Sequence, residues 1–118
     1  MTVRRGDVVL VHYPFSSGKG GKLRPALVVQ NDRNNRRLSN VILAAITTRT
    51  RHSGEPTHLL VDPSLAEGVG SGLRLVSCIT CENLATIEKS PIVKRLGALQ
   101  PFVMQRVAEC LKNSLELP

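Results

Sequence analysis

The segment Gly20–Asp32, with the sequence GGKLRPALVVQND, decides how the rest of the chain is interpreted. Its two glycines can adopt positive φ without a Cβ penalty, so they predict a hinge. The apolar, β-branched run Leu27–Val29 predicts a buried strand. Arg24 lies between hinge and strand, and the following Pro25 favours an extended backbone for it. A guanidinium held there on a rigid strand is a candidate anion site. The alternative is a solvated arginine at a strand edge.

The composition indicates one basic globular domain over residues 1–118. The chain carries 16 Lys+Arg against 9 Asp+Glu, a formal net charge of +7, which favours a polyanionic partner such as nucleic acid or an acidic protein. It has one Tyr, two Phe and no Trp, so base stacking on aromatic rings is not expected to dominate a nucleic-acid site. Contacts to phosphates and base edges would have to dominate such a site instead.

The sequence predicts a cytoplasmic protein. Residues 1–7 lack the apolar core of a signal peptide, and no apolar run reaches the length of a membrane span. Three cysteines are an odd number, which indicates free thiols rather than a disulfide framework.

Short apolar runs and turn signals predict about five strands followed by one helix. From Pro101 onward the apolar residues recur at helical spacing as far as Leu115. This order predicts an α+β fold, a small barrel-like sheet with the C-terminal amphipathic helix packed on it. The predicted strands cover residues 8–13, 25–30, 41–46 and 57–61, then 73–81 as two short segments or one long bent strand, with 82–87 continuing it or turning; residues 31–37 are predicted as a polar connection.

The sequence offers little support for metal or histidine chemistry. Cys78 and Cys81 have no second pair of ligands nearby, so they are interpreted as core thiols rather than a zinc or redox motif. His12 and His58 could together catalyse acid–base cleavage of RNA, but packed or surface histidines within strands fit the pattern better. The scattered acidic residues form no two-metal motif. We expect neither a metal nor another cofactor.

The polar residues at predicted strand ends suggest metal-free RNA chemistry, in which the substrate's own 2′-OH is the nucleophile. Such a site needs to position that hydroxyl in line, to neutralise the phosphorane charge and to manage the transfer of two protons. An arginine and a threonine hydroxyl can both hold phosphate oxygens. The residues alone nevertheless favour interpreting Thr47 as an ordinary β-branched strand residue. The candidate residues are Arg24, Thr47, Thr48, Thr80 and Glu82, together with Lys19 and Lys22 of the Ser/Gly-rich loop.

The chain resembles the MazF/PemK family of toxin endoribonucleases over most of its length. Residues 21–32, GKLRPALVVQND, are similar to the family signature GG-x-RPxLVxQND. Further similar segments follow in the same order as in the family. These are RGDV at residues 5–8, AAIT at 44–47, EPTH at 55–58 and CENLATI at 81–87.

The resemblance implies an SH3-like barrel with a C-terminal helix, assembled as a homodimer. It implies a toxin of a type II toxin–antitoxin system that inhibits translation and growth. Its activity would be metal-independent, sequence-specific cleavage of single-stranded RNA to 2′,3′-cyclic phosphate and 5′-OH ends. It also implies a cognate acidic antitoxin, through which alone operator DNA would be contacted. By position, Arg24 and Thr47 match the catalytic residues, and Glu82 matches an acidic residue near the groove. Lys19, Lys22, Thr48 and Thr80 are expected to contact substrate.

The chain also departs from one branch of the family. That branch has an arginine where this chain has Thr80, and a histidine in the first loop, which this chain lacks. Arg24 would therefore carry more of the chemistry. Two alternatives remain open: a gyrase-poisoning toxin of the same fold, which would not require Arg24–Pro25 or Thr47, and a non-catalytic nucleic-acid-binding barrel. The residues do not specify the cleavage sequence or the antitoxin.

Overall fold

A computed structural model describes residues 1–12 and 22–118. In this part of the chain, six antiparallel strands form one sheet in the order β4-β5-β3-β2-β1-β6. The strands are β1 Asp7–His12, β2 Leu23–Val28, β3 Asn40–Thr47, β4 His58–Val61, β5 Ser77–Glu88 and β6 Ile92–Ala98. The helices are α1 Asp32–Arg37 and α2 Pro101–Leu115, with a single 3₁₀ turn at Ala66–Gly68.

Strand β3 lies at the centre of the sheet and contributes to two cores, because successive side chains of a strand point to opposite faces. Ala44 and Ile46 belong to the first core, which α2 covers with an apolar stripe that includes Val103 and Val107. Val41, Leu43 and Ala45 belong to the second core, on the other face, together with residues of β1, β2 and β6. Both faces of β3 are therefore apolar, as its sequence predicts.

Strand β5 is one long bent strand rather than two segments. Ala45 pairs with Thr80 but its neighbour Ala44 pairs with Leu84, so the register shifts between them. A bulge of this kind bends and twists a strand. The bend lets the first half of β5 pair with β4 as well as β3, and lets its second half reach the second core.

Two elements of the structure have no counterpart among the predicted ones. Residues 31–37 contain α1, a short helix capped by the Asn31 side chain, which accepts the Asn34 N–H at 2.8 Å. Strand β6 lies in a segment for which no element was predicted, and it pairs with β1. Residues 73–76, predicted to be strand, precede β5.

The α+β architecture with a C-terminal helix is confirmed. Among the described strands, β4 and β6 are the two edges of the sheet, so the barrel-like sheet is open. In the described part of the chain, neither helix is long and apolar enough to cross a membrane.

The three cysteines are buried, as expected for core thiols. Cys110 Sγ of α2 donates to the carbonyl of His58 in β4 at 3.6 Å, which joins the helix to the sheet. Burial raises the pKa of the Cys81 thiol to about 12, so it stays protonated at neutral pH. A protonated, buried thiol is a packing residue rather than a nucleophile.

Candidate active-site cleft

The sheet places Arg24 and Thr47 on neighbouring strands. Strands β2 and β3 pair antiparallel with Ala26 opposite Ala45. Continuing this register by two residues puts Arg24 opposite Thr47. Residues directly opposite each other point to the same face, with Cβ atoms roughly 5 Å apart. Two residues that are 23 positions apart in sequence thus become a cross-strand pair.

Both side chains line one cleft of about 270 Å³ at this end of the sheet. Arg24 and Thr47 are half-buried, so each is held by packing and still reaches solvent. The cleft is lined by Lys22, Leu23, Arg24, Pro25, Ile46, Thr47, Thr48 and Ser77. Two cations and three hydroxyls around an apolar floor can bind a phosphate by charge and by hydrogen bonds.

The Thr47 hydroxyl has a defined orientation. Its Oγ1 atom accepts the backbone N–H of Arg49 at 3.1 Å. Because that oxygen already accepts a hydrogen bond, its own proton can be donated to a ligand in the cleft. Thr48 follows the last residue of β3; it is exposed and also lines the cleft.

A second groove, of about 340 Å³, adjoins the cleft and shares Pro25, Thr48 and Ser77 with it. Arg74 and Lys94 add positive charge to its lining. An extended polyanion seated at Arg24 could therefore continue along this surface.

Two other predicted substrate contacts do not reach the cleft. Thr80 is buried, and its hydroxyl donates to the carbonyl of Ala45 at 2.9 Å. Glu82 is exposed within the bulge of β5, and its carboxylate lies 3.4 Å from His58 Nε2. The register explains both positions: Cys78 is the residue of β5 that pairs with Thr47, whereas Thr80 pairs with Ala45, and Glu82 lies further along the strand. Lys22 is exposed and lines the cleft, whereas Lys19 lies outside the described residues.

The structure also argues against a paired-histidine mechanism. His12 ends β1 and His58 begins β4, and three strands lie between them in the sheet. His58 contacts Glu82 and also Thr57, whose Oγ1 lies 3.1 Å from its Nδ1. These histidines therefore cannot share one phosphate within a chain.

Sequence reasoning missed Ser77 as a cleft residue. It is the first residue of β5 and is buried, and its hydroxyl donates to the carbonyl of Leu75 at 2.9 Å. Its position follows from the pairing of β5 with β3, which ends at Thr47 opposite Cys78. A serine in a run predicted as strand carries no local signal of this role.

The model of the family described as PemK-like, MazF-like toxin of type II toxin–antitoxin system matches residues 4–115. The chain is 35% identical to endoribonuclease EndoA of Bacillus subtilis, covering 99% of this chain and 97% of that protein. It is 33% identical to endoribonuclease MazF of Staphylococcus saprophyticus, covering 98% and 92%. Its fold is similar to that of a mycobacterial endoribonuclease solved in complex with its cognate antitoxin, with a TM-score of 0.79 and 25% identity over 98% of this chain and 97% of that one.

Proposed function

The chain belongs to the family of PemK-like, MazF-like toxins of type II toxin–antitoxin systems, and we propose that it cleaves single-stranded RNA without a metal ion. The observation that supports this most directly is the cross-strand pair of Arg24 and Thr47 in a single cleft. Relatives at 35% and 33% identity are named endoribonucleases.

In the proposed reaction, the 2′-oxygen of the RNA attacks the adjacent phosphorus and the bond to the 5′-oxygen breaks. The products are a 2′,3′-cyclic phosphate and a 5′-OH end. Arg24 donates two hydrogen bonds from its planar fork to the non-bridging oxygens, where negative charge develops. Thr47 donates its hydroxyl proton to one of the same oxygens. Lys22 and Thr48, with Lys19 from the first loop, hold the flanking RNA.

Two protons must also move, one from the 2′-oxygen and one to the 5′-oxygen. The described lining residues include neither a carboxylate nor an imidazole. Residues 13–21, YPFSSGKGG, offer none in the sequence either. We therefore assign both transfers to water in the cleft. Thr80 and Glu82 take no part in this chemical step.

The proposed assembly is a homodimer, cytoplasmic like its mRNA substrate, with a cognate acidic antitoxin as partner. A net charge of +7 complements an acidic segment that covers the cleft and excludes RNA. Operator DNA would be contacted only through that antitoxin. Sedimentation at micromolar concentration tests the dimer, and relief of growth arrest by co-expressed acidic neighbouring genes tests the partner.

The deciding experiment incubates the purified protein with long, weakly structured RNA in EDTA and maps the new ends. Cleavage at defined sites, with 5′-OH ends, supports the proposal. RNA binding without cleavage would show a non-catalytic module, and neither binding nor cleavage would leave a protein-directed toxin. Either of the last two results rejects the proposed activity.

A further inference from the structure

The end of the sheet opposite the cleft carries a second concentration of positive charge. Helix α1 and the N-terminal segment meet there, between the end of β2 and the start of β3. Four exposed arginines lie in this region, and a half-buried arginine and lysine accompany them. We call this set the basic pole; its members are Arg4, Arg5, Arg33, Arg36, Arg37 and Lys89.

A buried asparagine holds α1 in place. Asn35 Nδ2 donates to the carbonyl of Gln30 at 3.0 Å, and its Oδ1 accepts from Gln30 Nε2 at 3.0 Å. With Asn35 facing inward, Arg33 and Arg37 lie four residues apart on the outward face. Their backbone is therefore fixed although their guanidinium groups are exposed.

The half-buried members of the pole bond to the backbone and thereby stabilise it. Arg5 Nε donates to the carbonyl of Val29 at 3.1 Å. Lys89 Nζ donates to the carbonyl of Asn35. The exposed arginines are thus supported by a rigid base, which lowers the entropy lost when a ligand binds.

Acidic residues compensate only part of this charge. Asp32 accepts the Arg5 N–H at 2.7 Å, and it lies with Arg4 and Arg36 around a depression of about 330 Å³. Glu88 ends β5 nearby, opposite Asn40. Asp7 bonds to Arg95 at 3.1 Å. Among the described residues, the basic pole therefore keeps a surplus of positive charge.

We infer that the basic pole binds backbone phosphates of RNA outside the cleft. Exposed arginines attract phosphate oxygens through their positive charge. A protein partner would need apolar anchors. In the described part of this pole, Met1 and Leu38 are the two exposed large hydrophobic residues, so charge rather than apolar contact dominates its surface. The inference rests on the proposed function for the identity of the polyanion.

The cleft and the basic pole lie at opposite ends of β3. This strand has 8 residues from Asn40 beside α1 to Thr47 in the cleft, which corresponds to roughly 23 Å. An oligonucleotide that only fills the cleft cannot reach the basic pole, whereas a longer RNA can engage both. The pole should therefore contribute affinity for long RNA and leave the chemical step unchanged.

The test compares two double variants of equal charge change. Arg33→Gln/Arg37→Gln removes two arginines of the pole and spares Arg36 beside Asp32. Arg106→Gln/Lys112→Gln removes two exposed cations from α2. The probes are labelled 2′-O-methyl oligouridylates of about 3 and about 30 nucleotides, which cannot be cleaved, titrated at several salt concentrations in EDTA. Thermal melts establish that both variants are folded.

We expect Arg33→Gln/Arg37→Gln to weaken binding of the long probe roughly 25-fold at 0.1 M salt. The dependence of log Kd on log salt should fall by about 1.4, because each lost phosphate contact on a single strand contributes about 0.7. The short probe should bind as it does to wild type. The α2 variant should bind the long probe with close to wild-type affinity.

The inference is overturned if the pole variant binds the long probe like wild type, or if both variants lose the same affinity. Polyglutamate is titrated as a further probe. If the pole variant loses binding to polyglutamate but binds RNA like wild type, the inference is also overturned, since the pole would then be a protein-binding surface. Cleavage of a short RNA by wild type is measured separately. Failure of that reaction rejects the proposed function, whereas the binding titration still decides the role of the pole.

Discussion

The two ends of the central strands both carry arginines, but they hold them differently. At the cleft, Arg24 is half-buried on β2 and lies opposite the Thr47 hydroxyl. At the basic pole, Arg33 and Arg37 extend into solvent from a short helix. The cleft arginine is half-buried and held by packing, as its proposed catalytic role requires. The pole arginines provide charge without fixed geometry.

This difference distinguishes two ways in which an arginine can act on a phosphate. A fixed guanidinium can stabilise charge that exists only in the transition state, which raises the rate. Mobile, exposed guanidinium groups attract phosphates in substrate and transition state alike, which raises affinity. Substitutions that preserve charge but change geometry should therefore affect one end and not the other.

The largest effect is expected from Arg24→Lys. Lysine keeps the charge but cannot donate two fixed hydrogen bonds, so single-turnover cleavage should fall about 10²–10³-fold. The matched control is Arg33→Lys at the basic pole, which should cleave within about twofold of wild type because only charge is used there. Equal losses in the two variants would contradict the distinction between the ends.

Thr47→Val should reduce single-turnover cleavage about 10- to 100-fold. The substitution keeps the β-branched shape but removes the hydroxyl that donates to the phosphate, a loss of about 1.5–3 kcal/mol for a hydrogen bond to a charged group. Thr48→Val is the comparison, since Thr48 is exposed just after the end of β3 and its proposed role is to hold flanking RNA. It should change KM more than the rate. A larger loss of rate for Thr48→Val would reassign the threonine that acts in the cleft.

Asn35→Ala should destabilise the basic pole without altering the cleft. It removes the buried pair of hydrogen bonds with Gln30, at a cost of about 1–3 kcal/mol in the free energy of unfolding. Urea denaturation measures this cost, and a short RNA measures cleavage below the unfolding transition. The control is Asn34→Ala at the neighbouring, half-buried position, which should lower the free energy of unfolding by less. Loss of cleavage by folded Asn35→Ala would show that the two ends are coupled.

The smallest effect concerns pH. The hydrogen bond from the Arg5 N–H, aided by the Asn35 side chain, lowers the pKa of Asp32 below its ordinary value of 3.8. Because the folded pKa is the lower one, this stabilisation is fully present above pH 3.8 and is lost as pH falls through the folded pKa. The difference in stability between wild type and Asp32→Asn should therefore shrink in acid. Melts across this range measure it; a difference independent of pH would show that ionisation of Asp32 contributes nothing.

Sequence patterns predicted elements whose signal is local. The apolar spacing after Pro101 predicted α2 as far as Leu115, and the structure has the helix over the same range. The apolar run at 41–46 predicted β3, which extends one residue further at each end. These elements bury the residues that define their periodicity, so the pattern and the packing agree.

The missed elements depend on contacts distant in sequence. Helix α1 has no apolar face, and its inward contact is Asn35 bonded to Gln30. Strand β6 is an edge strand with several exposed residues, and its pairing with β1 joins segments more than 80 positions apart. The predicted neighbourhood of Thr80 and Glu82 changed for a similar reason, because the bulge in β5 is defined only by its register with β3.

By itself, the sequence determined the class of the molecule: a basic α+β domain with an Arg-Pro strand entrance, a threonine at the end of a central strand, and motifs that resemble a toxin family. Local patterns carry this information because backbone restriction and side-chain periodicity act over a few residues. Only the tertiary structure decided which of the polar residues meet. Antiparallel register brought Arg24 to Thr47 and Ser77 to the same cleft, while it placed Glu82 further along β5, beside His58. Register is set by packing both faces of the sheet together, and that energy is not encoded in any single segment.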